Sequence, residues 1–319
     1  MKIFVTGTAG FIGMHVAESL LADGYEVVGL DNFNDYYDVS LKEARFQRLE
    51  KRKGFTQIRG DLSNYKLLTE NVELHEPQLV CHLAAQAGVR YSLQNPAAYQ
   101  KSNLEGHLNI LEACRHAKVQ RLVYASSSSV YGGNKKVPFS ESDPVDHPVS
   151  LYAATKKADE LMSHTYTHLY GLQTVGLRFF TVYGPWGRPD MAYWTFTEAM
   201  LKGAAIPVFN YGKMERDFTY ITDIVAGVKA ALFADGLDPY EIFNLGNNKP
   251  ENLMDFIKTL ASELGVEPKM EMLPMQPGDV PVTFADISKA RKKLGYTPQT
   301  PVSEGIPAFV RWYKEYFAA

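Results

Sequence analysis

The 319-residue chain is poor in cysteine, with only Cys81 and Cys114. Neither has partners at metal-ligand spacing, and two isolated thiols cannot build a disulfide framework. Cys81 lies in an apolar strand-like run and Cys114 in a helical one, and both are expected to be buried small hydrophobes, which suits a reducing compartment. The histidines, His82 and His107 among them, show no ligand spacing, so no metal site is expected. Basic charge is not in surplus: 33 Lys and Arg stand against 36 Asp and Glu, a net charge of -3. A nucleic-acid-binding surface shows as a basic excess, so that partner is not expected. An anionic small molecule, which needs only a few local cations, stays open. Long hydrophobic runs are missing, so no bilayer span is expected. The first residues pass straight into a strand without the organisation of a signal peptide. These absences lead to the expectation of a cytoplasmic protein with no membrane partner.

What is present is an alternation of short apolar runs and helical patterns. Strands are expected at Lys2–Thr6, Glu26–Leu30, Thr56–Arg59, Leu79–Leu83 and Arg121–Ser126. Helices are expected at 12–22, 41–53, 64–75, 97–117 and 151–170. Such alternation indicates repeated βαβ units and an α/β fold of the doubly wound Rossmann type. Beyond Arg178 the pattern becomes irregular and rich in Gly, Pro and aromatics. Residues 1–177 with 219–247 are therefore assigned to the large domain, and 178–218 with 248–319 to a smaller mixed α/β substrate-binding lobe.

Glycines 7, 10 and 13 follow the first strand and open the first helix. Gly7 permits the tight turn, Gly10 lets backbone approach a pyrophosphate, and Gly13 allows close helix–strand packing. The helix N-terminus adds free N–H groups and positive dipole character. The spacing departs from the commonest fingerprint, and a plain strand-turn-helix is the competing reading. Asp31 ends the second strand, where a carboxylate accepts from ribose hydroxyls and repels a 2′-phosphate, so NAD is the expected cofactor. Asp61 and Leu62 end the third strand; Leu83, Ala84 and Ala85 end the fourth. All are at carboxyl ends, where open α/β sheets bind ligands. Asp61 also reads as a helix cap.

Tyr152 and Lys156 lie four residues apart on one helix face. A second Tyr-x-x-x-Lys, Tyr131 to Lys135, contains Gly132 and Gly133 and is not expected to be helical. A phenol titrates near about 10; a neighbouring ammonium and a positive nicotinamide ring both favour the phenolate. Tyr152 can then take a hydroxyl proton while hydride leaves the same carbon. Lys156 would also hold the cofactor ribose. From the serine run 126–129, either Ser127 or Ser129 would hydrogen-bond the reacting oxygen.

With these motifs, Val130-Tyr131-Gly132, Arg178-Phe179-Phe180 and Arg216-Asp217-Phe218 resemble the extended short-chain dehydrogenase/reductases that act on nucleotide sugars. The similarity runs over essentially the whole chain. Residues 32–42 and 181–191 are similar to UDP-glucuronate 4-epimerases in particular, without the membrane anchor of plant members. The resemblance implies a UDP-sugar substrate, bound NAD and a homodimer, with the helices at 97–117 and 151–170 as its expected interface. It implies further cofactor contacts at Phe11, Ile12, Asn32, Gln86 and Asn103.

Ser128 and Ser129 stand where dehydratases of this family carry an acidic pair, so dehydration is not expected. Thr181 stands where galactose-type epimerases carry Asn. Thr181 and Arg188 thus become candidates for gripping a sugar carboxylate, Arg188 as a charge-assisted partner; a diphosphate contact or a surface position is the alternative for Arg188. The family places Arg216 on the diphosphate, Asp279 on the uridine ribose, and Val208, Phe209 and Tyr211 along the uracil pocket. Phe209 and Tyr211 read equally as core. Gln276 replaces an Arg of several relatives, and Arg90 is a further cation near the cofactor. The implied reaction inverts C4 of UDP-glucuronate through a 4-keto sugar that turns in the pocket. UDP-glucose 4-epimerisation, UDP-glucuronate decarboxylation and a non-catalytic NAD-sensing protein are the alternatives.

Overall fold

The computed structural model describes residues 1–275 and 280–318. Gln276 and Asp279, two positions singled out above, lie outside the described residues.

Among the described residues, seven parallel strands form the main sheet. They are β1 (Lys2–Thr6), β2 (Glu26–Asp31), β3 (Phe55–Arg59), β4 (Leu79–His82), β5 (Arg121–Ser127) and β6 (Gln173–Phe179), with a later strand at Tyr240–Leu245. Their spatial order is β3-β2-β1-β4-β5-β6 and then 240–245. The order reverses between β1 and β4, which opens a crevice at their carboxyl ends. Phe4, Val5, Val80, Cys81, Val123 and Val175 are fully buried because helices cover both faces. The helices up to β6 are α1 (Phe11–Ala22), α2 (Val39–Glu50), α3 (Tyr65–His75), α4 (Tyr91–Gln94), α5 (Pro96–Tyr99), α6 (Gly106–His116) and α7 (Leu151–Tyr170).

The helix expected over 97–117 is not one α-helix. Residues Gln100–Glu105 form a π-helical segment between α5 and α6. Such segments insert an extra residue into the helical ladder and redirect side chains. Asn103 lies in that segment, is 1% exposed, and bonds across to Gln86 and Thr155.

The second half completes the element order with β7 (Thr181–Tyr183), α8 (Ala192–Leu201), β8 (Ala205–Val208), β9 (Glu215–Tyr220), α9 (Ile221–Phe233) and β10 (Tyr240–Leu245). Then come β11 (Pro250–Asn252), α10 (Leu253–Leu264), β12 (Lys269–Met272), β13 (Val282–Thr283), α11 (Ser288–Leu294) and α12 (Val302–Ala318). Strand β9 pairs antiparallel with β11 and parallel with β7 and β13, while β8 pairs with β12. A second apolar core joins α8, α10 and α12 through Trp194, Phe256, Phe309 and Tyr313. Asp217 of β9 is fully buried and accepts from the amides of Asn247, Asn248 and Ala285, tying this sheet to the chain that leaves β10. No helix among the described residues is long and apolar enough to cross a membrane.

Candidate active site

The carboxyl ends of β1, β4 and β5 open into a cavity of about 540 Å³ that continues to β7 and β9. At its floor is the glycine turn. Gly7 has φ +80°, and a Cβ there would lie 2.8 Å from the Ala84 nitrogen. A Cβ on Gly13 would lie 2.0 Å from the Gly7 oxygen, and one on Gly10 would lie 2.9 Å from the same atom. A side chain would collide with backbone at Gly7 and Gly13 and crowd it at Gly10, so backbone and helix start close onto the cavity. Phe11 and Ile12 open α1 there and line the wall. Thr6 pins the neighbouring strand end: its hydroxyl bonds His82 Nδ1 at 2.8 Å and accepts from the amides of Leu83 and Ala84.

Asp31 ends β2 and accepts from the amides of Ala9 (3.0 Å) and Phe33 (2.8 Å). Burial pushes its carboxyl up, opposed by those amides and by the charges of Lys42 and Arg45. Asp61 accepts from the Ser63 amide and hydroxyl and from the Asn32 side chain. It is not the cap of α3. That position belongs to Asn64, whose side chain accepts from Leu67. Asp31, Asn32, Asp61, Leu62, Leu83, Ala84, Ala85 and Gln86 all line the cavity. Asn103 does not: its amide is spent on both backbone groups of Gln86 and on the Thr155 hydroxyl, so it shapes the wall from behind.

At the centre stand Tyr152 and Lys156. Ser150 caps α7 by accepting from Ala153, which sets Tyr152 in the first turn. Tyr152 thus stands at the positive end of the helix dipole. The edge of Tyr152 meets Tyr99, ring centroids 6.1 Å apart. The Lys156 side chain is 3% exposed. Its ammonium donates to Ala125 O and Asp159 Oδ2, each at 3.0 Å. Burial pushes the Asp159 carboxyl up to about 7, against the pull of Lys156. Ser127 Oγ accepts from the Ser129 amide at the start of a 3₁₀ turn, Ser128–Tyr131. Ser129 Oγ is buried and has no hydrogen-bond partner among the described residues. Ser127, Ser129, Tyr152 and Lys156 share the cavity wall. Below them Ser126 and the Arg178 guanidinium hold Glu160, and Arg178 also donates to Tyr131.

The far end carries Thr181, Arg188, Arg90 and Arg216. Arg216 donates to the carbonyls of Glu215 and Pro281, and Arg90 lies 5.6 Å over the Phe209 ring. Val208 and Tyr211 do not reach the cavity. Val208 is fully buried in the second core, and Tyr211 is 57% exposed on a turn where it and Asn210 take φ near +50°. Phe209 meets the site at Arg90.

Three residues of this region take no role from the sequence: Tyr36 and Lys42 fall within the 32–42 stretch, and Arg45 lies just beyond it. Arg45 is fully buried and donates to Ala9 O, Tyr37 OH, Trp186 O and Gly187 O. It bolts the glycine turn to the segment that bears Arg188. Lys42 donates to Asn34 beside Asp31, and Tyr36 donates to Asp190. Their positions on α2 and its preceding loop show only a polar pattern, because their partners lie far away in sequence.

The glycine cradle that any Cβ would fill, the carboxylate at the β2 end and the Tyr–Lys pair in one cavity fit a bound NAD. They define the class: an NAD-dependent short-chain dehydrogenase/reductase. The family model described as GDP-mannose 4,6 dehydratase matches residues 4–309. The probable UDP-glucuronate 4-epimerase of Rhizobium meliloti is 45% identical over 99% of this chain and 97% of its own. UDP-glucuronate 4-epimerase 4 of Arabidopsis thaliana is 50% identical over 100% of this chain and 76% of its own. The crystal structure of UDP-glucuronic acid 4-epimerase from Bacillus cereus, with UDP-glucuronic acid and NAD, superposes with TM-score 0.92 at 36% identity, covering 99% and 100% of the two chains. The chain belongs to this nucleotide-sugar epimerase and dehydratase family of the extended short-chain dehydrogenase/reductases.

Proposed function

We propose that the protein converts UDP-glucuronate to UDP-galacturonate by inverting C4, with NAD retained. The observation that carries this reading is one cavity joining the glycine cradle, the Tyr152–Lys156 pair and, beyond them, Thr181 and Arg188. The 4-epimerases among its relatives support it. Bound NAD would take and return a hydride at the sugar C4. Every other task falls to the chain.

Gly7, Gly10, Gly13, Phe11 and Ile12 would hold the pyrophosphate, and Asp31 and Lys42 the adenosine ribose. Tyr152 removes the C4 hydroxyl proton and later gives it back. Lys156, tethered by Ala125 and Asp159, keeps a positive charge near that phenol. Ser127 or Ser129 hydrogen-bonds the C4 oxygen; the unpartnered Ser129 hydroxyl favours Ser129. Arg216 takes the diphosphate.

The 4-keto sugar must turn to offer its other face. With a ketone at C4 and a carboxylate on C5 it is a β-keto acid, which loses CO2 when the breaking bond aligns with the carbonyl π system. Thr181 and Arg188 keep the carboxylate out of that alignment. Exposed Leu108 on α6 and Leu161 and Leu169 on α7 support a homodimer through those helices. The test is Tyr152→Phe: turnover of UDP-glucuronate is lost while NAD stays bound. A Tyr152→Phe enzyme that turns over at the normal rate overturns the assignment.

A further inference from the structure

Arg188 already has an anion. Its Nε meets Asp190 Oδ1 at 3.0 Å, and its Nη2 meets Asp190 Oδ2 at 2.5 Å. This is the two-pronged edge that a guanidinium offers to any carboxylate. Arg188 lines the cavity, whereas Asp190 is not among the described residues that line it, and its side chain is 27% exposed. The backbone is held on both sides: Arg45 holds the carbonyls of Trp186 and Gly187, the Arg188 amide donates to Tyr193, and the Arg188 carbonyl accepts from the Met191 amide at 3.3 Å. The pair is therefore free to change only at its side chains.

Asp190 is itself anchored. Tyr36 OH donates to its Oδ2 at 3.1 Å. The Tyr36 ring lies against Tyr91, centroids 4.7 Å apart, and its hydroxyl approaches Gly88 closely enough that a Cβ there would be 2.6 Å away. Burial alone would raise the Asp190 carboxyl, but the charge and hydrogen bonds of Arg188, with Tyr36, hold it below the usual carboxylate range. The anion is thus set in place before substrate arrives.

An epimerase that turns its intermediate has an unusual need. The carboxylate must be steered in two orientations, yet a full-strength grip in one of them would hold the ring still. Binding that is equally strong before and during the difficult step lowers KM without raising kcat. We propose that Asp190 is an internal competitor for the Arg188 guanidinium. It weakens the hold on the sugar carboxylate and takes the bidentate edge while the ring turns. The inference rests on the reading of Arg188 given above. It makes Asp190 a positioning residue that acts through Arg188, with Tyr36 as its anchor.

The experiment compares Asp190→Asn and Tyr36→Phe with the wild type. Affinity for UDP-glucuronate and for UDP alone is measured by titration calorimetry, and KM and kcat are measured separately. Asp190→Asn binds UDP-glucuronate about tenfold more tightly, leaves UDP affinity unchanged and lowers kcat; Tyr36→Phe moves the same way by less. Tenfold corresponds to 1.4 kcal/mol. A merely structural role would weaken both ligands together. Unchanged or weaker UDP-glucuronate binding, an equal change for UDP, or an unchanged kcat overturns the proposal. Arg188→Met separates the two levels: if it leaves the preference for UDP-glucuronate over UDP intact, the underlying reading of Arg188 fails. If it abolishes that preference while Asp190→Asn is silent, only the role of Asp190 fails.

Discussion

Gly13→Ala is expected to cost far more than Gly10→Ala, although both positions belong to one motif. The added methyl at Gly13 would sit 2.0 Å from Gly7 O and 2.6 Å from its carbonyl carbon. That is roughly 1.3 Å short of an ordinary carbon–oxygen approach. Nothing flexible stands in the way to move aside. Gly7 is held at φ +80°, its N–H donates to Leu30 O at 2.7 Å, and its oxygen accepts from the Gly10 amide at 2.9 Å. Overpacking typically costs about 1–3 kcal/mol, and a backbone-on-backbone clash lies at or beyond the upper end. At Gly10 the methyl would be 2.9 Å from the same oxygen, a shortfall that small shifts absorb for about 1 kcal/mol. At Gly133 a methyl meets nothing within 4 Å, so Gly133→Ala should stay within about 0.5 kcal/mol of wild type. Urea denaturation without added nucleotide ranks the three, and NAD titration follows. Gly13→Ala should lose about 3 kcal/mol and its NAD binding. A Gly13→Ala protein within about 1 kcal/mol of wild type, or less affected than Gly10→Ala, would refute the packing argument.

Arg188→Ala should weaken UDP-glucuronate binding and increase the decarboxylated UDP-pentose product; an unchanged affinity and product ratio would remove Arg188 from carboxylate control. Glu160→Gln removes the charge and one of the two acceptors that Glu160 offers the buried Arg178 guanidinium and should cost about 3–5 kcal/mol in denaturant unfolding, whereas a loss under about 1 kcal/mol would show that neutral acceptors suffice for Arg178. Acid should destabilise the fold through buried histidines: burial lowers His15 to about 4, His82 to about 3, and His107 well below the usual range. The unfolded chain takes up these protons below about pH 6.5, and the folded one does not until pH is far lower. Stability is therefore present above that pH and falls by about 1.4 kcal/mol per unit for each group as pH drops towards its folded value. His82→Gln should flatten the slope by one share, and an identical slope would contradict the burial of a neutral ring.

The sheet was legible because β1, β2, β4 and β5 hold short apolar runs, while β3, which carries Thr56, Gln57 and Arg59, follows from the strand–helix alternation. Gly7, Asp31, Asp61 and Ala84 mark the strand ends directly, and the cavity follows from them. The Tyr152–Lys156 spacing was readable for a similar reason: i, i+4 geometry is local. Less was legible where partners are distant. Arg45 reaches Trp186 and Gly187 across some 140 positions of sequence, so on α2 it reads as one more charge on a polar helix. The same holds for Asp190, whose neighbour Tyr36 lies 154 residues away. The π-helical segment 100–105 has no composition of its own; the bonds of Asn103 to Gln86 and Thr155 select it. For Phe209 and Tyr211 the sequence suits a base-stacking wall and a core equally, and their neighbour Val208 packs in the second core.

The most direct test of the central claim is proton NMR of the purified protein mixed with UDP-glucuronate, following the anomeric signals. The account predicts a UDP-galacturonate signal that rises to equilibrium without any UDP-pentose. A UDP-pentose or its 4-keto precursor as the product would make the protein a decarboxylase. No change, with turnover of UDP-glucose in a parallel sample, would contradict the assignment of a carboxylate substrate.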